Sequence, residues 1–287
     1  MTHDAWNELD EPLRSPEFLS FAAARTGLDR DRVARTIHQY TAEVAAGARI
    51  LAGMDLNGKR ILEVGAGISV LSICLARRGC QITGLEPGAN GFDVNAQLGA
   101  AVRAWLGADD LPMLDIEVDR LDRAQHGEFD LIFSINVLEH IPNLAEAIAA
   151  MEGVLAPGGS MVHLCPNYAI PYEPHFGIPL VPLAPRLTAL LFPRVARHPT
   201  WPSLNFVTYR DIRRLARRSG LSTTFRPAMM YDAFARLDND EEFRARHSGL
   251  VARLHHLLKR TRILGALRHV PPALATPMAF ECRRIQA

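Results

Sequence analysis

The chain has 287 residues, 48% of them hydrophobic, with 32 Lys and Arg against 31 Asp and Glu. This length accommodates one elaborated domain with a sizeable core, and a net charge of +1 excludes the broad basic field that attracts nucleic acid. The four cysteines, Cys74, Cys80, Cys165 and Cys282, form no CxxC pair and read as reduced, buried thiols of a cytoplasmic protein.

Residues 1–54 precede the first strand of the core. Their start, MTHDAWNELDEPL, is polar and acidic, which predicts no signal peptide. Ser15 to Tyr40 carry Phe18, Phe21 and Ala22, then Val33, Ile37 and Tyr40, at helical spacing, so a helical N-terminal extension is expected. Residues 57–87, NGKRILEVGAGISVLSICLARRGCQITGLEP, read as strand, glycine turn, helix and strand. Gly65-Ala66-Gly67 lets the backbone approach a ligand closely. Glu86, closing the second strand, can accept from ribose hydroxyls, so a nucleoside cofactor is expected. A dinucleotide fingerprint would place a third glycine at G-x-G-x-x-G, and that glycine is missing.

Further strands are expected near residues 114–118, 129–135, 160–165, 222–229 and 278–284, with helices near 91–104, 143–154 and 208–219. Such alternation predicts a sheet covered by helices on both faces. Two stretches fall outside a minimal core. Residues 166–204 hold nine of the 19 prolines together with Tyr168, Tyr172, His175, Phe176, Phe192 and Trp201. The prolines forbid a long helix or central strand, and the aromatics argue against disorder, so an ordered substrate lid is expected. Residues 232–270 begin acidic and turn basic, with seven Arg or Lys, four histidines and no acid from Phe243 to Val270. Leu250, Val251, Leu254, Leu257 and Leu258 line one helix face there. That face can pack on the core or meet a membrane surface. No apolar run reaches the ~18 residues that a membrane span needs.

The Glu-x-Gly-x-Gly form at Glu63–Gly67, after an apolar strand and before a second strand ending in Glu86, resembles the first motif of the class I S-adenosylmethionine-dependent methyltransferases. In that family a glycine often stands where this chain has Ser69. FDLIFSINVLEHIPN (129–143), LAPGGSMVHLCPN (155–167) and NFVTYRDIRRLARRSGL (205–221) resemble, in order, the family's fourth strand and loop, its glycine turn and fifth strand, and the helix before its sixth strand.

The resemblance implies a Rossmann-like α/β fold. It would have a seven-stranded, mostly parallel sheet with helices on both faces and an antiparallel last strand. This domain would cover residues 55–287, with the lid at 166–204 and a basic helical insertion at 232–270. The extension 1–54 is expected either to cover the pocket or to pack on the sheet. The implied cofactor is S-adenosyl-L-methionine. Gly65 and Gly67 would pass close to its methionine and ribose portions, and Glu63 would fix its ammonium end. Glu86 would hold the ribose hydroxyls, and Asn136 would face the methionine moiety. Asp119 is expected at the adenine amine, chosen over Asp115, Glu117 and Asp122 by period-2 alternation and its place at a strand's end.

Methyl transfer needs a nucleophile in line with methyl and sulfur, and a group to take any proton lost. It requires no metal, and none is expected. Two histidines are candidate catalytic bases: His140, just past the fourth strand, where it can also be a structural pocket residue, and His175 in Pro171–Phe176. Tyr168, Tyr172 and His175 are candidate substrate contacts, and His163 reads as core.

The expected function is methylation of a small-molecule or glycan-like acceptor, at oxygen. Three alternatives stay open: a membrane-associated, lipid-linked acceptor, a nicotinamide-dependent oxidoreductase, and a non-catalytic cofactor-binding module. The first is motivated by the apolar stretch Leu180–Phe192 and the basic helix, and brings peripheral membrane contact with it. The lid and the leucine face also leave a homodimer open. A nucleic-acid partner is not expected, because no basic and aromatic residues interleave over a sheet face.

Overall fold

The computed structural model describes residues 4–88, 93–247 and 249–285. The chain divides into two compact units, one of residues 1–137 and 143–163, the other of residues 138–142 and 164–285.

The first unit opens with three helices, α1 (Asp4–Arg14), α2 (Pro16–Thr26) and α3 (Arg30–Ile50). The helical run expected from Ser15 to Tyr40 is therefore two helices. Gly27, left-handed at φ 69°, closes α2, and Asp29 restarts the chain by accepting from the Arg32 N–H at 2.7 Å. There follow β1 (Arg60–Val64), α4 (Val70–Ala76), β2 (Gln81–Leu85), α5 (Asp93–Leu106), β3 (Met113–Leu114), α6 (Arg123–His126), β4 (Phe129–Ile135), α7 (Leu144–Gly153) and most of β5 (Leu155–Cys165). Phe18 of α2 is fully buried, its ring 5.7 Å from Trp105 of α5. Burial of such a side chain contributes roughly 1.5–3 kcal/mol. Gly47 lets α3 approach β4 and α4, because a Cβ there would collide with Ile135 and Leu71.

The second unit contains β6 (Tyr172–Glu173) and β7 (Ile178–Pro179), which form a small antiparallel ribbon. After them come the short helices α8 (Thr188–Leu191), α9 (Pro193–Ala196) and α10 (Thr200–Ser203), then α11 (Tyr209–Arg218), β8 (Leu221–Phe225), α12 (Met229–Asn239), α13 (Glu241–Arg246), α14 (Leu250–Arg260) and β9 (Met278–Arg284). The proline-rich stretch is ordered around its own apolar cluster of Tyr168, Leu180, Trp201, Leu204 and Phe206. Within the basic stretch, Leu254 and Leu257 of α14 are exposed to solvent. That helix therefore does not bury its whole leucine face.

The sheet has seven strands in the order β3-β2-β1-β4-β5-β9-β8. Strand β1 pairs in parallel with β2 and β4, β2 pairs in parallel with β3, and β8 with β9 is antiparallel. Strands β1 and β4 are near-continuous apolar runs, as expected for strands covered on both faces. Strand β3 is shorter than expected: the chain leaves the sheet after Leu114 and makes a single 3₁₀ turn at Val118–Arg120. Among the described residues no helix is long and apolar enough to cross a membrane.

Candidate active site

In the first unit, strand order reverses between β1 and β4, and a crevice at the carboxyl ends of such strands is where parallel α/β sheets bind ligands. Gly65, Ala66 and Gly67 make the turn out of β1. The N–H groups of Gly65 and Ala66 both donate to the Leu85 carbonyl, at 2.8 and 3.0 Å, which ties the turn to the end of β2. Gly65 and Gly67 have φ of 71° and 54°, and neither has room for a side chain. A Cβ on Gly65 would strike Val137, and one on Gly67 would strike the ring of Tyr40 from α3. The N-terminal extension thus lays an aromatic ring on the glycine turn.

Glu86 is buried beside this turn. Its carboxylate accepts from the Gly67 N–H at 2.8 Å and from the Asn95 amide at 3.4 Å. Burial pushes its pKa up, the Gly67 and Asn95 donors oppose that shift, and the charge of Glu117 adds to it. Glu63 on β1 is also buried and accepts a short hydrogen bond from Ser72 of α4. Asn136, just beyond β4, is left-handed at φ 54°, a conformation asparagine tolerates. Asp119 stands in the 3₁₀ turn and not at a strand's end. Its Oδ1 is buried without a hydrogen-bond partner among the described residues. Asp115, by contrast, is occupied by the Gly88 N–H at 3.2 Å.

Ser69, where the resembling family often has glycine, carries a conformational load. It is left-handed at φ 66° and caps α4 without a side-chain hydrogen bond to the helix, which explains the glycine common there in the resembling family. Its hydroxyl instead accepts from Arg103 at 2.9 Å.

The second unit holds a cluster of acids and imidazoles. Glu139 and Glu173 have fully buried carboxylates. His175 Nδ1 lies 2.6 Å from Glu173 Oε1, and a carboxylate only accepts, so Nδ1 carries the proton. The Tyr168 hydroxyl and the Phe176 N–H also donate to Glu173, at 3.1 and 2.8 Å. His175 Nε2 points the other way and lies 3.9 Å from Glu139 Oε1. His140 sits edge-to-face with His175, ring centroids 5.2 Å apart. Its Nδ1 is 2.8 Å from Ser203 Oγ, whose own proton goes to the Thr200 carbonyl at 2.8 Å. His140 Nδ1 is therefore the donor, and Nε2 is the lone-pair nitrogen. Burial, aided by His175, pushes the His140 pKa down to about 3, so this imidazole is neutral at physiological pH.

Asn205 fixes the turn that carries Glu139 and His140. Its amide donates to the carbonyls of Leu138 and Ile141 at 2.7 and 2.9 Å, and its backbone N–H donates to the Glu139 carbonyl at 2.8 Å. The buried carboxylates also impose a negative field. Burial first, then the charge of Glu139, pushes the Cys165 thiol well up, and burial with Glu173 and Glu139 does the same to the Tyr168 hydroxyl.

Of the residues singled out from the sequence, Gly65, Gly67, Glu63 and Glu86 assemble at the ends of β1 and β2, and His140 meets His175. Tyr168 and Tyr172 both use their hydroxyls within the second unit. Tyr168 is buried, its ring against Phe206 and its hydroxyl on Glu173, while the Tyr172 hydroxyl makes a short hydrogen bond with His247. Sequence reasoning missed Tyr40, Asn95, Glu139, Glu173, Ser203 and Asn205 as functional positions. A visible signal existed for two: Glu139 precedes His140 directly, and Glu173 stands two residues before His175.

A family model described as a methyltransferase domain matches residues 34–224. An uncharacterized protein of Mycobacterium tuberculosis is 36% identical over 222 residues, covering 70% of this chain and 73% of its own length. A ubiquinone biosynthesis O-methyltransferase of Psychrobacter cryohalolentis is 36% identical over 119 residues, covering 42% of this chain and 45% of its own. Among solved structures, the geranyl diphosphate C-methyltransferase of Streptomyces coelicolor, in complex with Mg2+, geranyl diphosphate and S-adenosyl-L-homocysteine, matches with a TM-score of 0.55 at 14% identity. The match covers 99% of both chains and is a likeness of fold. The family match sets aside the nicotinamide-dependent alternative.

Proposed function

Because the chain belongs to the class I S-adenosylmethionine-dependent methyltransferases, we propose that it methylates an oxygen of a small-molecule or glycan-like acceptor by direct in-line displacement. The cofactor supplies an activated methyl group on a sulfonium, so the protein has to align the acceptor and manage its proton. The first unit fits that cofactor. Gly65 and Gly67 hold the left-handed turn that the main chain needs there, with Val137 and Tyr40 packed against it, Glu86 is a buried carboxylate able to accept from both ribose hydroxyls, and Asp119 Oδ1 is a buried acceptor suited to the adenine amine. Glu63 and Asn136 are assigned to the methionine end.

The observation that carries the oxygen reading is the Glu173–His175 pair. A carboxylate on Nδ1 orients an imidazole and stabilises the charge it gains when Nε2 takes a proton. An oxygen acceptor loses a proton on methylation, and a base of this kind serves it. His140, held neutral, is the weaker base and keeps an acceptor nitrogen for orienting a hydroxyl. The test is incubation with isotopically labelled S-adenosylmethionine and a panel of hydroxylated acceptors, with mass spectrometry locating the label. Label found only on nitrogen or carbon would overturn the oxygen reading.

One observation favours a lipid-linked acceptor within this reading. Leu183, Leu187, Leu190 and Leu191 are exposed on the proline-rich segment, which also carries Arg186 and Arg194, and such a mixed surface suits an anionic bilayer. Co-sedimentation with vesicles containing phosphatidylglycerol tests it. A protein that stays in the supernatant does not reach its acceptor this way, and a dimer in solution would assign the leucines to a second copy.

A further inference from the structure

We propose that Glu139, His140 and His175 form a site for one divalent transition-metal ion of the zinc, cobalt or manganese kind, leaving coordination positions open for an oxygen ligand. The sequence reading expected no metal, because methyl transfer requires none; the third ligand comes from the proline-rich segment and not from the Glu139-His140 turn.

One ligand atom from each of the three residues lies within 4.8 Å of the other two. The 3.9 Å between His175 Nε2 and Glu139 Oε1 is too long for a hydrogen bond. Two ligands of one ion with bonds near 2.0–2.2 Å stand about 3.0–3.5 Å apart, so small side-chain adjustments close the set on a cation. Two imidazoles and one carboxylate are the donors such ions take, and three protein ligands with an open position is the pattern of a catalytic metal site.

The outer partners of the two rings are the stronger argument. Each imidazole donates its Nδ1 proton away from the cluster, His175 to Glu173 at 2.6 Å and His140 to Ser203 at 2.8 Å. Both Nε2 atoms are thereby the lone-pair nitrogens, and a metal-binding histidine is held by this kind of outer hydrogen bond, often to a carboxylate. Asn205 fixes the turn that bears two of the three ligands. The negative field of Glu139, felt by both Cys165 and Tyr168, is what a cation would neutralise.

The site stands on ligand geometry alone. What the ion would do rests on the methyltransferase reading: an acceptor hydroxyl bound to it would lose its proton to water more readily, and His175, with Nε2 on the ion, would serve as ligand in place of its role as base.

The full-length protein, dialysed against a chelator, is to be titrated with Co2+ and followed by visible absorption and calorimetry, and separately titrated with S-adenosylhomocysteine. The expected result is one Co2+ per chain with a ligand-field band that excess Zn2+ abolishes. His175→Ala and Glu173→Gln should each weaken Co2+ binding 10- to 100-fold while leaving S-adenosylhomocysteine affinity unchanged, which also shows that the variants fold. Glu173 reaches the ion only through His175, so its effect separates an oriented ligand from adventitious binding by surface histidines. Saturable Co2+ binding without S-adenosylhomocysteine binding would uphold the ion site and remove the cofactor reading. No stoichiometric Co2+ binding by a protein that binds S-adenosylhomocysteine, or wild-type Co2+ affinity in His175→Ala, would overturn the ion site and leave the methyltransferase reading in place.

Discussion

The two units build their sites from different materials. In the first, the glycine turn and Glu86 lie within one short stretch and are joined largely by main-chain groups: the Gly65 and Ala66 N–H on Leu85, and the Gly67 N–H on Glu86. In the second, Glu139, His140, Glu173, His175, Ser203 and Asn205 come from separate segments and are joined largely by side chains. A backbone-built site tolerates many changes around it. A side-chain-built one depends on every outer hydrogen bond. Each unit also holds one histidine on a serine hydroxyl, the buried His163 on Ser134 at 2.7 Å and the half-buried His140 on Ser203 at 2.8 Å.

The largest expected effect tests that parallel. Burial pushes both histidines down to about 3, whereas an unfolded histidine titrates near 6.5. Between those values the unfolded chain binds more protons, so stability falls as pH falls, by up to about 1.4 kcal/mol per pH unit for each histidine. Above pH 6.5 neither contributes to the slope. Urea unfolding between pH 7 and pH 4 should show the fall, and His163→Gln and His140→Gln should each remove a similar share of it. If one variant removes all of it, the two histidines are not equivalent.

Next in size is the removal of the one side chain on which the first site leans. Glu86→Ala should weaken S-adenosylhomocysteine binding about 100-fold, the scale of a lost pair of hydrogen bonds to a charged acceptor. Only the ionised carboxylate accepts twice. Because its pKa is raised by burial, affinity should climb as pH rises through that raised value, and Glu86→Gln should flatten the climb. Unchanged affinity in Glu86→Ala would take ribose binding away from this residue.

Asn205→Ala should act on the second site and spare the first. It leaves the Leu138 and Ile141 carbonyls without their side-chain donor, a loss of roughly 1–3 kcal/mol in thermal or urea unfolding. S-adenosylhomocysteine affinity should be unchanged. If affinity falls together with stability, the sites are not independent.

The same contrast decides what the sequence could reveal. The strands β1, β2, β4 and β9 were legible because each is an apolar run bounded by turn residues, and the glycine turn because main-chain geometry demands Gly65 and Gly67. Strand β3 was not: MLDIEVD alternates like a strand, yet the chain leaves the sheet after two residues and turns into a 3₁₀ helix. The break between α2 and α3 rested on Gly27 and Asp29, a stop and a start that helical periodicity alone passes over. Asp119 was chosen for a strand-end geometry that does not exist, although its Oδ1 is buried all the same. The second site was half visible. His140 and His175 stand out by chemistry, but nothing in residue order says that Ser203 will hold one ring and Glu173 the other.

The smallest effect is at Ser69, where the backbone-built site borrows the side chain of Arg103. A left-handed non-glycine residue costs about 1–2 kcal/mol, and the Arg103 hydrogen bond to its hydroxyl returns about 0.5–1.5 kcal/mol. Ser69→Gly relieves the first and forfeits the second, so stability should change by less than about 1 kcal/mol. Ser69→Ala keeps the strained backbone and loses Arg103, and should be the less stable variant by about 1 kcal/mol. The order of the two in urea unfolding carries the information. If alanine matches serine while glycine exceeds both, Arg103 contributes nothing and serine is tolerated there, not used. If alanine falls below serine and glycine matches it, the turn has replaced glycine's conformational freedom with a hydrogen bond from α5, and the first site depends on one outer side chain as the second depends on several.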